Sequence, residues 1–261
     1  MSYAWRALQQ VIKESDILFE VLDARMPELS RNESVEEVIN DSGKEMAFIL
    51  NKADLISKSQ AENAAKNLKT QTGKEVFIVS VKGKTGTKGL RKALYSLADK
   101  SEFTKLRVGF VGYPNTGKSS VINALAFKKK VEVTSKAGTT RGIQWAAIGE
   151  RLLINDSPGI IPLRKYDEIR YALIGAKDIS KIKDLEIVAS YIVSMFIKSE
   201  STKKILEKFY DLKIPDNITD PEEILELIGK RKGFMKRGGE YDENRVSKSI
   251  IKNWQEGKLR F

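Results

Sequence analysis

Apolar positions along the chain follow two rhythms, and one of them disappears near Leu163. Residues 3–14 place Trp5, Leu8 and Ile12 at helical spacing, which predicts an amphipathic helix. Residues 17–22 read as a buried strand ending at Asp23-Ala24-Arg25-Met26-Pro27. A short helix over 33–39, with Asn32 as its cap, leads to a second strand at 46–50. An amphipathic segment at 59–68 precedes a third strand at 76–79, and a helix through Leu90, Leu94 and Leu97 precedes a fourth at 108–111. Another helix continues through 120–125, and a hairpin of 143–148 and 151–154 turns around Gly149-Glu150. Past Leu163 only helical patterns remain, at 169–174, 185–196, 203–209, 221–228 and 247–254. Alternating strands and helices followed by helices alone predict an α/β domain over 1–164 and a small all-α domain over 165–261.

Composition narrows the chemistry. With 261 residues the chain can bury a large core, and with no cysteine it has neither disulfides nor thiolate chemistry. Histidine is absent as well, which removes Ser-His-Asp catalysis and the usual Cys/His zinc sites. Any metal is therefore expected to be a hard cation held by oxygens and phosphates. The net charge of +11 favours a polyanionic partner, nucleic acid first. No apolar run reaches membrane-spanning length, and the start carries no signal-peptide pattern, so the expected location is cytoplasmic, with no membrane partner.

The stretch Gly112-Tyr113-Pro114-Asn115-Thr116-Gly117-Lys118-Ser119 joins a strand to a helix, the context a P-loop requires. Its backbone N–H groups and the helix start, continuing at Ser120, are suited to surround phosphate. Lys118 adds a point charge and Ser119 a magnesium-facing hydroxyl. The second strand ends in Asn51-Lys52-Ala53-Asp54. A carboxylate at Asp54 matches the N1–H and exocyclic amine of guanine, the Asn51 amide the O6/N7 side, and the Lys52 stem the base plane. Adenine lacks that donor pair and leaves Asp54 unmatched. A backbone N–H near Ser80, in Ser80-Val81-Lys82, is placed to meet guanine O6. Downstream, Thr140 in preference to Thr139 is a magnesium ligand in the γ-phosphate state. In Asp156-Ser157-Pro158-Gly159 the carboxylate acts on magnesium through water and the Gly159 N–H on the γ-phosphate. Asp23 and Arg25 read equally as ligand-binding loop residues or as an ordinary ion pair.

In the ordinary GTPase domain the phosphate loop comes first and the guanine motifs last; here residues 51–54 and 80–82 precede 112–119, 138–140 and 156–159. A single set in reversed order reads as circular permutation of a P-loop GTPase fold, a rearrangement that exposed termini and loops tolerate. This ordered set, together with Asp23-Ala24-Arg25-Met26-Pro27, resembles the circularly permuted GTPases of ribosome assembly, the YlqF/RbgA-like family. The resemblance implies GTP hydrolysis to GDP and a partner in the large ribosomal subunit or its precursor, contacted by the C-terminal domain through rRNA. It implies slow turnover without that partner, because Ile160 stands where Ras-like proteins carry a glutamine. It also implies that Asn115 supports a potassium ion, and that switch geometry differs where Ala137 replaces the usual proline.

The clearest basic cluster is Lys230, Arg231, Lys232, Lys236 and Arg237, joined by Lys258 and Arg260. It is suited to grip RNA phosphates, with Phe234 or Trp254 beside an exposed base; in the plainer reading both aromatics belong to the core. Two other functions stay open at this stage: a nucleotide-gated RNA-binding scaffold with negligible turnover, and a GTPase acting on tRNA or at a membrane surface.

Overall fold

A computed structural model describes residues 3–126, 133–134, 145–156, 159 and 167–261. The chain divides into two compact units, Met1–Lys165 and Tyr166–Phe261. In the first, the elements run α1 (Tyr3–Glu14), β1 (Ile17–Asp23), α2 (Pro27–Ser30), α3 (Glu33–Asp41), β2 (Glu45–Asn51), α4 (Lys58–Thr72), β3 (Val76–Ile78) and α5 (Thr87–Lys100). There follow β4 (Leu106–Val111), α6 (Lys118–Leu125), β5 (Val133–Thr134), β6 (Trp145–Ile148) and β7 (Leu152–Asp156).

Among the described residues seven strands form one sheet, in the order β3-β2-β1-β4-β7-β6-β5. Five are mutually parallel, from β3 through β7, and β6 and β5 add antiparallel pairing at one edge. Helices cover both faces of the parallel part, so its strands are mostly apolar rather than alternating, with buried Glu20 a charged exception inside β1. β1 is buried along its whole length. Its Ile17, Phe19 and Val21 join Val108, Phe110, Leu90, Leu94 and Val121 on one face. Leu18 and Leu22 join Leu8, Ile12, Val35, Ile39 and Leu68 on the other. Chain order reverses beside β1: β2 and β3 lie on one side of it and β4 and β7 on the other. Open α/β sheets place ligand crevices at such a switch point, beyond the carboxyl ends of the strands.

The second unit contains α7 (Glu168–Leu173), α8 (Leu185–Ile197), α9 (Glu200–Tyr210), α10 (Pro221–Lys232) and α11 (Glu243–Gln255). α8 is its centre, because Leu185, Val188, Ala189, Ile192, Val193 and Phe196 recur at helical spacing and are all buried. Starts are fixed by side-chain caps: Asp167 accepts from Arg170 N, Ser199 from Thr202 N, Asp220 from Glu222 N and Asp242 from Arg245 N. Each such cap contributes about 1 kcal/mol. Among the described residues, no helix is long and apolar enough to cross a membrane.

Candidate nucleotide site

The carboxyl ends of the parallel strands bring together residues that the sequence scatters over more than a hundred positions. Asp23 ends β1, Asn51 ends β2, Ser80 lies two residues past β3, Gly112 follows β4 and Asp156 ends β7. Register fixes two of these neighbours: Asp23 stands opposite Asn51, and Phe110, two residues before Gly112, opposite Asp156.

The loop after β4 has the backbone a phosphate cradle needs. Gly112 has φ 135°, and a Cβ there would sit 2.7 Å from Val21 O. Buried Thr116 donates its hydroxyl to Tyr113 O at 3.0 Å, closing the loop on itself. Lys118, the first residue of α6, is also buried, and its ammonium donates to Gly112 O at 3.2 Å and Tyr113 O at 3.0 Å. The charge is thus held at the loop it is expected to serve. Asn115 is exposed with a left-handed φ of 61°, Pro114 is half-buried, and Ser119 and Ser120 are exposed on the first turn of α6.

The guanine motif is tied to this loop directly. Asn51 Nδ2 donates to Thr116 O at 2.9 Å across 65 residues of sequence. The fit is close: a Cβ on Gly117, where φ is 95°, would lie 2.2 Å from that same nitrogen. Sequence reasoning sends the Asn51 amide to the base; the structure spends one of its two N–H groups on the phosphate loop. Asp54 meets the third segment, accepting the Ser80 hydroxyl, which in turn accepts Gly83 N–H at 2.7 Å. The Ser80 N–H is bonded to Thr85 O at 3.0 Å, so a base-facing N–H in this turn has to come from Val81 or Lys82. Lys82 is exposed, and Val81 packs partly against the core.

Asp23 and Arg25 form a buried, two-pronged ion pair, with Arg25 Nε and Nη2 at 3.0 and 2.8 Å from the carboxylate. Lys52 Nζ joins it at 2.8 Å. Burial alone pushes the Asp23 carboxyl up, but Arg25 and Lys52 outweigh it and hold the pKa at about 2. No sequence signal foretold the Asn51–Thr116 bond; the Asp23–Lys52 pair follows from the adjacency of β1 and β2 once the register is known.

Beyond β7, Gly159 approaches the phosphate loop so closely that a Cβ would fall 2.8 Å from the Pro114 backbone. Thr139, Thr140, Ser157, Pro158, Ile160 and Ala137 lie outside the described residues, as does the side chain of Asp156.

A family model described as "50S ribosome-binding GTPase" matches residues 107–219. An uncharacterized GTP-binding protein of Methanocaldococcus jannaschii is 35% identical over 98% of this chain and 66% of its own length. Nucleolar GTP-binding protein 2 of Saccharomyces cerevisiae is 31% identical over 98% of this chain and 52% of its own. The chain thus spans from 47% to 66% of the length of these and similar curated relatives. Among solved structures, GNP-bound YlqF from T. maritima superposes with a TM-score of 0.67 at 25% identity, covering 99% of this chain and 96% of that one. The chain belongs to the circularly permuted, YlqF/RbgA-like family of ribosome-assembly GTPases. The GDP-bound YlqF structure matches equally, at a TM-score of 0.67.

In the helical unit of this YlqF-like chain the basic cluster resolves into two parts. Lys230 pairs with Glu226 at 2.6 Å, Arg231 with Asp211, and Lys232 lies 5.7 Å from the Tyr210 ring centroid. Lys236 and Arg237 instead sit on an exposed turn closed by Lys236 N–H to Glu240 O at 2.7 Å and Asp242 N–H to Phe234 O at 2.7 Å. Gly238 and Gly239 give that turn φ values of 113° and 88°. Trp254 is corrected to a core residue: it is fully buried, donates to Leu173 O at 2.8 Å and packs edge-on to Phe196. Phe234 is half-buried beneath the Arg245 guanidinium, 4.4 Å from its ring centroid. Neither aromatic stands open to an RNA base.

Proposed function

We propose that this chain binds GTP along the carboxyl rim of its sheet and hydrolyses it to GDP and phosphate, in a cycle coupled to the large ribosomal subunit or its precursor. The observation that carries the reading is the Asn51–Thr116 bond, which joins the guanine motif and the phosphate loop into one site despite their reversed order. On this reading Asn51, Lys52, Asp54 and the Ser80-Val81-Lys82 turn take the base. Residues 112–120 surround the phosphates, with Lys118 countering β/γ-phosphate charge and the Gly159 N–H meeting the γ-phosphate.

Ser119, Thr140 and Asp156 are the residues assigned to magnesium. The donor set fits: an exposed hydroxyl on the first turn of α6 and a carboxylate-bearing residue ending the neighbouring parallel strand offer hard oxygens only. Magnesium, when bound, neutralises charge building on the phosphate oxygens. Asn115 is assigned to a potassium ion supplying part of the charge an arginine finger provides elsewhere.

The exposed Lys236–Arg237 turn, with Lys258 and Arg260, is the proposed contact to rRNA phosphates, and a cytoplasmic location belongs to the same reading. Turnover of GTP measured with and without purified large subunits tests the function. Stimulation by subunits, with rRNA recovered on the GTP-analogue-bound protein, is expected. Negligible turnover in both cases favours a nucleotide-gated scaffold, and recovery of tRNA alone points to a different RNA.

A further inference from the structure

Of the charged trio at the ends of β1 and β2, Asp23 and Arg25 have no task in the nucleotide chemistry above, and Lys52 is given only its stem's place on the base. Asp23 is fixed on every side. Its N–H donates to Ser30 Oγ at 3.0 Å, Oδ1 accepts the Arg25 N–H at 3.1 Å and Nε at 3.0 Å, and Oδ2 accepts Arg25 Nη2 and Lys52 Nζ, both at 2.8 Å. Its side chain is 1% exposed, whereas that of Lys52 is 23% exposed. Lys52 also carries a left-handed φ of 62°, a backbone state that costs an ordinary residue free energy. That bend lies between Asn51, bonded to the phosphate loop, and the short 3-10 turn Ala53–Leu55 that carries Asp54.

Charge balance does not require Lys52 in this trio. Arg25 already neutralises Asp23 through two prongs, and the Lys52 ammonium leaves the group net positive. The ammonium's position needs another reason, and the geometry offers one: an immovable carboxylate, oriented by Arg25, gripping the free end of a long side chain.

We propose that Asp23 is a positioning residue for guanine recognition. It anchors the Lys52 ammonium, lays the Lys52 stem along the base site, and holds the left-handed bend that sets Asn51 and Asp54 apart at their working angle. This rests on the guanine reading above. Arg25 keeps the carboxylate ionised and aimed; Lys52 is the group through which Asp23 acts.

Release of a fluorescent GDP analogue, followed by stopped flow, tests it on the full chain. Lys52→Met keeps the stem, removes the anchor and leaves the Asp23–Arg25 pair intact, so folding is spared. It should release nucleotide about tenfold faster, the loss of one charge-assisted hydrogen bond, and as fast as Lys52→Ala. Asp23→Asn should also release about tenfold faster in the parent, but less than about twofold faster again in the Lys52→Met background, the non-additivity of residues acting as a unit. Parent-like release from Lys52→Met, or equal factors for Asp23→Asn in both backgrounds, overturns the proposal. If Asp23→Asn does not fold, the comparison of Lys52→Met with Lys52→Ala decides, because a stem that needs no anchor keeps Lys52→Met near the parent while Lys52→Ala weakens. Failure of the parent chain to bind the GDP analogue sinks the guanine reading itself, a result distinct from all of these.

Discussion

Replacing Gly117 by alanine puts a methyl group where the Asn51 amide nitrogen already sits, 2.2 Å from the ideal Cβ position. Two costs follow. The residue has φ 95°, a region in which a Cβ costs roughly 1–2 kcal/mol. The displaced Asn51 amide gives up its 2.9 Å bond to Thr116 O, and leaving a buried carbonyl unpaired costs about 1–3 kcal/mol. Together these come to about 3 kcal/mol, on the order of 100-fold in affinity for a ligand that needs the native loop. Gly233→Ala is the matched control: its φ is 66°, yet nothing lies within 4 Å of the added methyl. Titration calorimetry with GDP, alongside thermal melts, should give weak binding for Gly117→Ala and parent-like binding for Gly233→Ala. Parent-like GDP affinity in Gly117→Ala would refute the idea that the Asn51–Thr116 contact holds the site together.

The other expectations span specificity, pH and ions. Asp54→Asn should weaken GDP binding at least about 100-fold and leave ATP binding nearly unchanged, read by competition titration. Asp23, held at about 2 against a usual 3.8, contributes about 2 kcal/mol of stability above pH 4 that is lost as pH falls through 3.8 towards 2. Denaturant melts across pH 2–5 should therefore show a steeper loss in the parent than in a folded Asp23→Asn variant. Glu20 carries the opposite sign: burial, and then Glu36, raise its pKa well above 4.5, so it costs stability increasingly as pH rises from there. Glu20→Gln, which can keep the 2.7 Å bond from Asn32 N, should melt higher than the parent at pH 8 and show no gain at pH 4. Exchanging sodium for potassium should accelerate GTP turnover; equal rates with and without subunits would remove the role given to Asn115.

Strands buried on both faces were legible because they read as short, mostly apolar runs, even where Glu20 interrupts β1. The helix over Tyr3–Glu14 and the strands β1, β2 and β4 are found within a few residues of their predicted places. The helical unit was equally open to reading, since α8 repeats its apolar side chains with the period of a helix. β5, at Val133–Thr134, has no counterpart among the predicted elements, because two residues at a sheet edge leave no alternation to detect. α2, at Pro27–Ser30, is a single turn with no apolar period at all. The motifs name the residues proposed to meet nucleotide but not how those residues meet one another. Asn51 and Thr116 are joined by sheet order, Asp23 and Lys52 by strand register, and neither quantity is local in sequence. Trp254 shows the reverse error: an aromatic beside Lys258 and Arg260 looked suited to a base, yet its ring fills the core against Phe196.

The central claim, a guanine site assembled from motifs in reversed order, is met most directly by competing GDP and ADP against a fluorescent GDP analogue on the unmodified chain. The account predicts that GDP displaces the probe at concentrations at least about 100-fold lower than ADP, because adenine leaves the Asp54 carboxylate without its two donors. Equal displacement by the two nucleotides would contradict it.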